Sequence, residues 1–314
     1  MAFAIPKENY SGKVKVVTLG KGDNAVSVGG YDSMPLCTFE GTWGNKPIIA
    51  MEVFDVAPET WPPAVADTFK SVFNDPAAWA KKCVNECGAQ AIVVQLAGTD
   101  PNGKNKSSAD AIAVVKAVKG AVNVPVIVWG CGNVEKDQAV LPAIMEAFPN
   151  ENMLFGPAEE ANYKKIAASA IGYGHCIIAK SSIDVNLAKQ LNILCENLGL
   201  PLEKIVMDPT TGSLGYGIEY SYSVMERISL AALTQNDGKM QLPLINDLAK
   251  EAWKTREAML PIEEVPTFGD QTTRGILMES LTALDVLTAG SSILIMRHPK
   301  SVSVLKELIA ELYA

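Results

Sequence analysis

The densest run of side chains able to do chemistry lies at residues 207–222, MDPTTGSLGYGIEYSY. Asp208 supplies a carboxylate, Thr210 and Thr211 supply hydroxyls, and Gly212, Gly215 and Gly217 strip side chains from a loop that then starts a helix. Such a loop lets backbone N–H groups approach a ligand closely, although the same glycines could do no more than turn the chain. The Lys-Ser/Thr pair of a P-loop is absent, so the segment does not read as a nucleotide phosphate cradle. Gly130-Cys131-Gly132-Asn133 offers a second small-residue surface, with Asn133 suited to cap a helix starting near Glu135. Asp270, Gln271, Thr272 and Arg274 combine a cap-like carboxylate with polar groups ahead of a long helix, and Arg297, His298 and Pro299 follow the last apolar run. His298 could donate a proton or bind a ligand, yet no matched Asp and Ser or Cys makes it part of a triad. Lys180 could form a Schiff base, but no neighbour in sequence lowers its pKa. No residue is assigned a catalytic role.

Metal chemistry is equally constrained. The six cysteines, Cys37, Cys83, Cys87, Cys131, Cys176 and Cys195, include no C-x-x-C pair for zinc or an iron–sulfur cluster. Cys83 and Cys87 share a helical face and read as small core residues. His175 and His298 are the two histidines of the sequence. No metal ligand is assigned, and a redox metal used by this protein would be carried by another chain.

These residues need a scaffold, and hydrophobic periodicity supplies one. With 48% hydrophobic and 20% charged residues, the 314-residue chain can bury a large core. Two domains of about 150 residues or one α/β barrel of about 250 with extensions fit that length. Apolar runs at 48–53, 91–96, 124–129, 152–155, 176–180, 204–208, 242–246 and 292–296 predict eight strands. Helix-period stretches alternate with them, at 76–87, 107–118, 135–148, 159–171, 185–198, 221–234, 248–259 and 273–289, and 301–312 closes the chain. Eight near-continuous apolar strands with helical crossovers predict a parallel (β/α)8 TIM barrel. Runs at 14–19 and 25–28 around a Gly-rich loop predict a β-hairpin ahead of it. The expected organisation is one domain, with residues 1–46 as an N-terminal extension and 47–314 as the barrel. Two long segments, 54–75 and 261–271, break the economy of the scaffold and read as functional or interfacial.

A barrel of this type binds ligands at the carboxyl ends of its strands. Glu52, Asp55, Gln95, Lys180, Asp208, Asn246 and Arg297 stand there. A formal charge of −8, with no Lys or Arg run longer than a pair, argues against nucleic acid as a partner. The apolar runs are too short to cross a bilayer, and residues 1–10 lack the order of a secretory signal, so a cytoplasmic protein without a membrane partner is expected.

The strings MDPTTGSLGYGIEYSYSVMER at 207–227, VWGCGNVEKD at 128–137 and FGDQTTRGILMES at 268–280 resemble the small subunit of the corrinoid iron–sulfur protein, the delta subunit of acetyl-CoA decarbonylase/synthase in archaea. The resemblance runs from about Lys13 to the carboxyl terminus. It implies a barrel that pairs as a heterodimer with a large subunit, which holds the [4Fe–4S] cluster and most of the corrinoid (cobalamin) site. It further implies that the pair accepts a methyl group from methyltetrahydropterin through a separate pterin-dependent methyltransferase. Delivery goes to the CO dehydrogenase/acetyl-CoA synthase of the reductive acetyl-CoA (Wood–Ljungdahl) carbon-fixation pathway. Carried onto this sequence, Thr210, Thr211, Gly212, Gly215, Tyr216, Asp270, Gln271, Thr272, Arg274, Arg297, His298 and Pro299 would hydrogen-bond corrin amides or border the partner. His175 is not expected to ligate cobalt, since Tyr173 and Ile178 replace the other anchors of a D-x-H-x-x-G segment. The alternative is a stand-alone pterin-dependent methyltransferase barrel, with Asp208, Asn133 and Asn246 as its polar strand-end residues.

Overall fold

The computed structural model describes residues 3–313. Two antiparallel strands come first, β1 (Val16–Leu19) and β2 (Val26–Gly29). The repeating part begins with β3 (Ile48–Phe54), α1 (Pro63–Phe69), α2 (Pro76–Asn85), β4 (Ala91–Gln95), α3 (Ser108–Ala121), β5 (Val126–Trp129) and α4 (Val134–Ala147). It continues through β6 (Leu154–Ala158), α5 (Tyr163–Tyr173), β7 (Cys176–Lys180), α6 (Val185–Asn197), β8 (Ile205–Asp208) and α7 (Ile218–Leu233). Then follow β9 (Leu244–Asp247), α8 (Leu248–Ala252), α9 (Arg256–Met259), α10 (Gln271–Thr288), β10 (Ser291–Met296) and α11 (Pro299–Leu312). Strands β3 to β10 are neighbours in chain order, and β10 pairs with β3 to close an eight-stranded parallel barrel. The barrel and the preceding hairpin are those expected from the sequence.

Alternation along each strand divides the core in two. Ala50, Val93, Ile127, Ile178, Val206, Ile245 and Ile295 fill the barrel interior, while Ile49, Val94, Val128, Ile177 and Leu294 pack outward under the helices. Both faces are therefore apolar, which is why the runs read as continuous. The hairpin closes one end: Val17, Leu19 and Val28 join the interior cluster. Gly20 N–H donates to the Asn152 carbonyl at 2.9 Å and Lys15 N–H to the Gln241 carbonyl at 2.9 Å, both just ahead of barrel strands. The amino end is thus stoppered, and the carboxyl end carries the loops.

Departures from the expected elements have local causes. Strand β6 runs past 155 through Gly156 and Pro157, with a register irregularity between Phe155 and Ala158. The helix expected at 248–259 is two short helices, because Trp253 turns inward, is 2% exposed and gives its indole N–H to Glu279 at 2.9 Å. Helix α5 starts at Tyr163 rather than 159, since Asn162 Oδ1 accepts the Glu159 N–H at 2.7 Å and holds a turn there. Helix α1 lies inside the segment expected to be a long loop, started by Pro63 at its first position.

Candidate functional site

The inward alternation that packs the interior with aliphatic side chains changes character at the carboxyl end. Glu52, Gln95, Lys180, Asp208 and Asp247 each lie two residues beyond an interior aliphatic residue, and Arg297 lies two beyond Ile295. Above them opens a cavity of about 740 Å³ walled by Phe54, Trp61, Trp129 and Trp253, with Lys180, Lys250, Lys254 and Arg297 on its lining. The volume is in the range of small-molecule pockets.

Charge in this mouth is organised around Glu52. Its Oε2 accepts from Arg297 Nε at 2.7 Å and its Oε1 from Gln95 Nε2 at 3.0 Å. Both members of the ion pair are buried, and the Arg297 guanidinium also lies 4.2 Å from the Trp61 ring centroid. Such a pair persists in an interior because hydrogen bonds and stacking offset its lost hydration. Below, Glu279 of α10 accepts the Trp253 indole N–H at 2.9 Å and the His298 backbone N–H at 3.1 Å, and burial pushes its carboxyl pKa up. Burial raises Asp208 to about 6, against the opposing pull of Lys180 and the Thr210 N–H. Asp247 is pushed up by burial and then by the Glu52 charge, with Lys250 opposing.

Of the strand-end candidates, Glu52, Gln95, Lys180 and Arg297 line the mouth cavity, as do Gly130, Cys131 and Gly132; of the twelve residues carried over by the resemblance, Arg297 alone does. His298 turns aside to cap α11, its Nδ1 accepting the Lys300 N–H at 3.1 Å, and it stacks on Trp253 at 5.7 Å. Burial lowers its pKa to about 4, so it is a neutral cap at pH 7 rather than a proton donor. Pro299 follows as the first residue of α11.

Of the other candidates, Tyr216, Gln271 and Arg274 bond to α9, and the rest lie elsewhere. Arg274 is a buried clamp that donates to the carbonyls of Glu257 at 2.7 Å, Leu260 at 2.8 Å and Gly269 at 3.2 Å. Gln271 bonds the Met259 carbonyl at 2.8 Å, Asp270 caps α10 by accepting the Thr273 N–H at 2.7 Å, and Thr272 is exposed. Tyr216 reaches the same helix, its hydroxyl donating to Glu257 at 2.9 Å. Thr210, at φ 65°, donates its hydroxyl to the Ser181 carbonyl at 2.6 Å, while Thr211 is buried and accepts from Asn246 Nδ2 at 3.1 Å. Gly212 gives its N–H to Ser221 Oγ at 2.8 Å, and Gly215 turns at φ 74° in open space. Tyr216, Tyr220, Met259, Ile262 and Phe268 leave apolar surface exposed.

Asp247, Lys250, Glu279 and the aromatic walls were not among the sequence candidates. Ending the seventh strand at Asn246 hid Asp247. The period-2 signal could have found it, since Ile245 points inward and Asp247 must follow. Asn246 points outward to Thr211 and Met225, and Asn133 caps α4 by accepting the Lys136 N–H at 3.0 Å. The Gly130–Gly132 loop closes on Asp137, whose carboxylate accepts the Cys131 and Gly132 N–H groups at 2.9 Å each. Among the described residues, no group of three or more His, Cys, Asp or Glu side chains is placed to hold a metal ion. His175 lies buried, with Nδ1 3.2 Å from the Met153 N–H and Nε2 3.1 Å from the Met145 carbonyl. No helix among the described residues is long and apolar enough to cross a membrane.

The family model for the CO dehydrogenase/acetyl-CoA synthase delta subunit matches residues 16–312. The acetyl-CoA decarbonylase/synthase complex subunit delta of Archaeoglobus fulgidus is 37% identical over 314 residues, covering 96% of this chain and 69% of the relative. That of Methanothermobacter thermautotrophicus is 37% identical over 308 residues, covering 98% and 77%. Among solved structures, dihydropteroate synthase of Xanthomonas albilineans superposes with a TM-score of 0.60 at 12% identity, over 96% of this chain and 99% of that one. At that identity the likeness is one of fold.

Proposed function

The chain belongs to the CO dehydrogenase/acetyl-CoA synthase delta subunit family, and from that premise we propose that it is the small subunit of a corrinoid iron–sulfur methyl carrier. In this reading a large partner subunit holds the [4Fe–4S] cluster and most of the corrinoid site, and the barrel mouth covers the exposed face of the corrin. Methyl transfer at cobalt is the chemistry that cofactor supplies when bound. The pair takes its methyl group from methyltetrahydropterin through a methyltransferase and delivers it to acetyl-CoA synthase, in the cytoplasm.

The observation that carries this reading is the aromatic-walled mouth itself. Phe54, Trp61, Trp129 and Trp253 give the cavity an apolar wall, which would keep water from a reactive centre bound above it. Beneath it Glu52 is neutralised by its buried ion pair with Arg297. His298 is held neutral as a cap and carries no proton in the reaction. Thr210, Gly215, Tyr216, Asp270, Gln271, Thr272 and the exposed apolar residues near α9 form the rim on which the partner would seat. Thr211, Gly212, Arg274 and Pro299 shape that rim from within.

Co-expression with a large corrinoid subunit tests the proposal. A 1:1 complex is expected, and loading with corrinoid should quench the tryptophan fluorescence contributed by the mouth. The stand-alone methyltransferase is the competing outcome: isolated chain that moves a methyl group from methyltetrahydrofolate to free cobalamin overturns the subunit reading. Of its three polar residues, Asp208 alone faces the interior, because Asn133 and Asn246 are turned to structural partners.

A further inference from the structure

Arg297 and His298 are the whole connection between β10 and α11, and their backbone N–H groups lie past the end of the strand. Buried N–H groups need acceptors. Both find one in Glu279 of α10: Oε1 accepts the Arg297 N–H at 2.5 Å, and Oε2 accepts the His298 N–H at 3.1 Å. Oε2 also accepts the Trp253 indole N–H at 2.9 Å, so one fully buried carboxylate gathers donors from two separate parts of the chain. Burial raises its pKa, and these N–H groups pull it back down. One turn earlier on the same face of α10, Gly275 makes room for the indole, since a Cβ there would lie 2.3 Å from Trp253 Cζ3. A glycine weakens a helix interior, and here it seats a ring against bare backbone.

What these bonds hold reaches the mouth, although Glu279 itself is not on the cavity lining. Arg297 carries its guanidinium to Glu52, with Nε 2.7 Å from Oε2, and lies 4.2 Å from the Trp61 ring centroid. Trp253 is part of the cavity wall. We propose that Glu279 is a positioning residue for the barrel mouth, fixing the Arg297 backbone and the Trp253 ring through one carboxylate and so setting the guanidinium on Glu52 and the indole in the wall. Without those bonds the two-residue connection gains conformational freedom, and the Arg297–Glu52 pair opens more often. Each opening leaves a carboxylate unpaired among aromatic rings, which is costly. That the held geometry serves a corrinoid rests on the function proposed above, whereas the positioning does not.

Hydrogen exchange at the Arg297 Nε–H, followed by NMR on the full-length chain and assigned by its loss in Arg297→Lys, reads the pairing at a group whose acceptor is Glu52 rather than Glu279. Glu279→Gln keeps the volume but has one oxygen where two are needed, and should speed that exchange by about tenfold to a hundredfold. Glu279→Asp keeps the charge and draws both oxygens back; it should speed exchange less, and it carries the test if Glu279→Gln does not fold. Val286→Ala, a truncation at a fully buried position of the same helix, controls for lost stability: it should lower the melting temperature and leave the Arg297 exchange at the wild-type rate. The inference is overturned if the folded Glu279 variants exchange the Arg297 Nε–H like the wild type, or if Val286→Ala speeds it as much as they do. The readout needs neither partner nor corrinoid, so its failure is distinct from failure of the 1:1 complex.

Discussion

Asp208 is an acid kept where water is scarce, and its energetics set a measurable pH dependence. Burial raises its pKa from 3.8 to about 6, so the folded chain holds this proton more tightly than the unfolded chain does. The associated stability is fully present below pH 3.8 and is lost as pH rises through about 6. Asp208→Asn removes the titration while leaving an oxygen for the Thr210 N–H. The variant should therefore be more stable than wild type at pH 8 by up to about 3 kcal/mol, with the gap closing towards pH 4. Urea unfolding at pH 4, 6 and 8 measures this, and a pH-independent difference would assign the titration elsewhere. Residue type was legible here and direction was not. Asp208 and Glu52 stand at strand ends in the sequence, but Asp247 and Asn246 differ in role only through which face of β9 they occupy.

At the scale of elements, the eight strands are legible because each is apolar on both faces, and the ends are not because they depend on single groups. Strand β5 starts at Val126 rather than 124, just after Pro125, which has no N–H for the ladder. The loop between β8 and α7 shows two glycines of unlike function. A Cβ on Gly212 would lie 2.6 Å from the Gly217 carbonyl carbon, backbone that cannot swing aside, whereas Gly215 has nothing within 4 Å and a φ of 74°. Gly212→Ala is expected to cost about 1–3 kcal/mol and to open the loop to limited proteolysis. Gly215→Ala should cost about 1 kcal/mol through its left-handed backbone and leave protease resistance intact. Equal cleavage of the two variants would contradict this division.

For the molecule as a whole, the hairpin and the barrel are one packing problem. Leu19 is fully buried in the interior cluster, and Asn152 Nδ2 donates to the Thr18 carbonyl at 2.6 Å across the join. Leu19→Ala should lower stability by about 2–5 kcal/mol, as truncation in a barrel core does. A loss below about 1 kcal/mol in chemical denaturation would mean that the hairpin is an appendage. The sequence showed a hairpin but not its seat, because residues that receive it, such as Asn152 and Gln241, lie more than a hundred positions away.

Since β1 and β2 cover the far side of a barrel whose interior is filled by aliphatic side chains, the doorway to the mouth cavity lies, among the described residues, at the carboxyl end. Any companion seated over that doorway converts affinity into chronology: a guest must enter before the companion arrives, and it leaves when the companion lifts. Residence time would then be set by how often the two proteins part rather than by how strongly the guest is held.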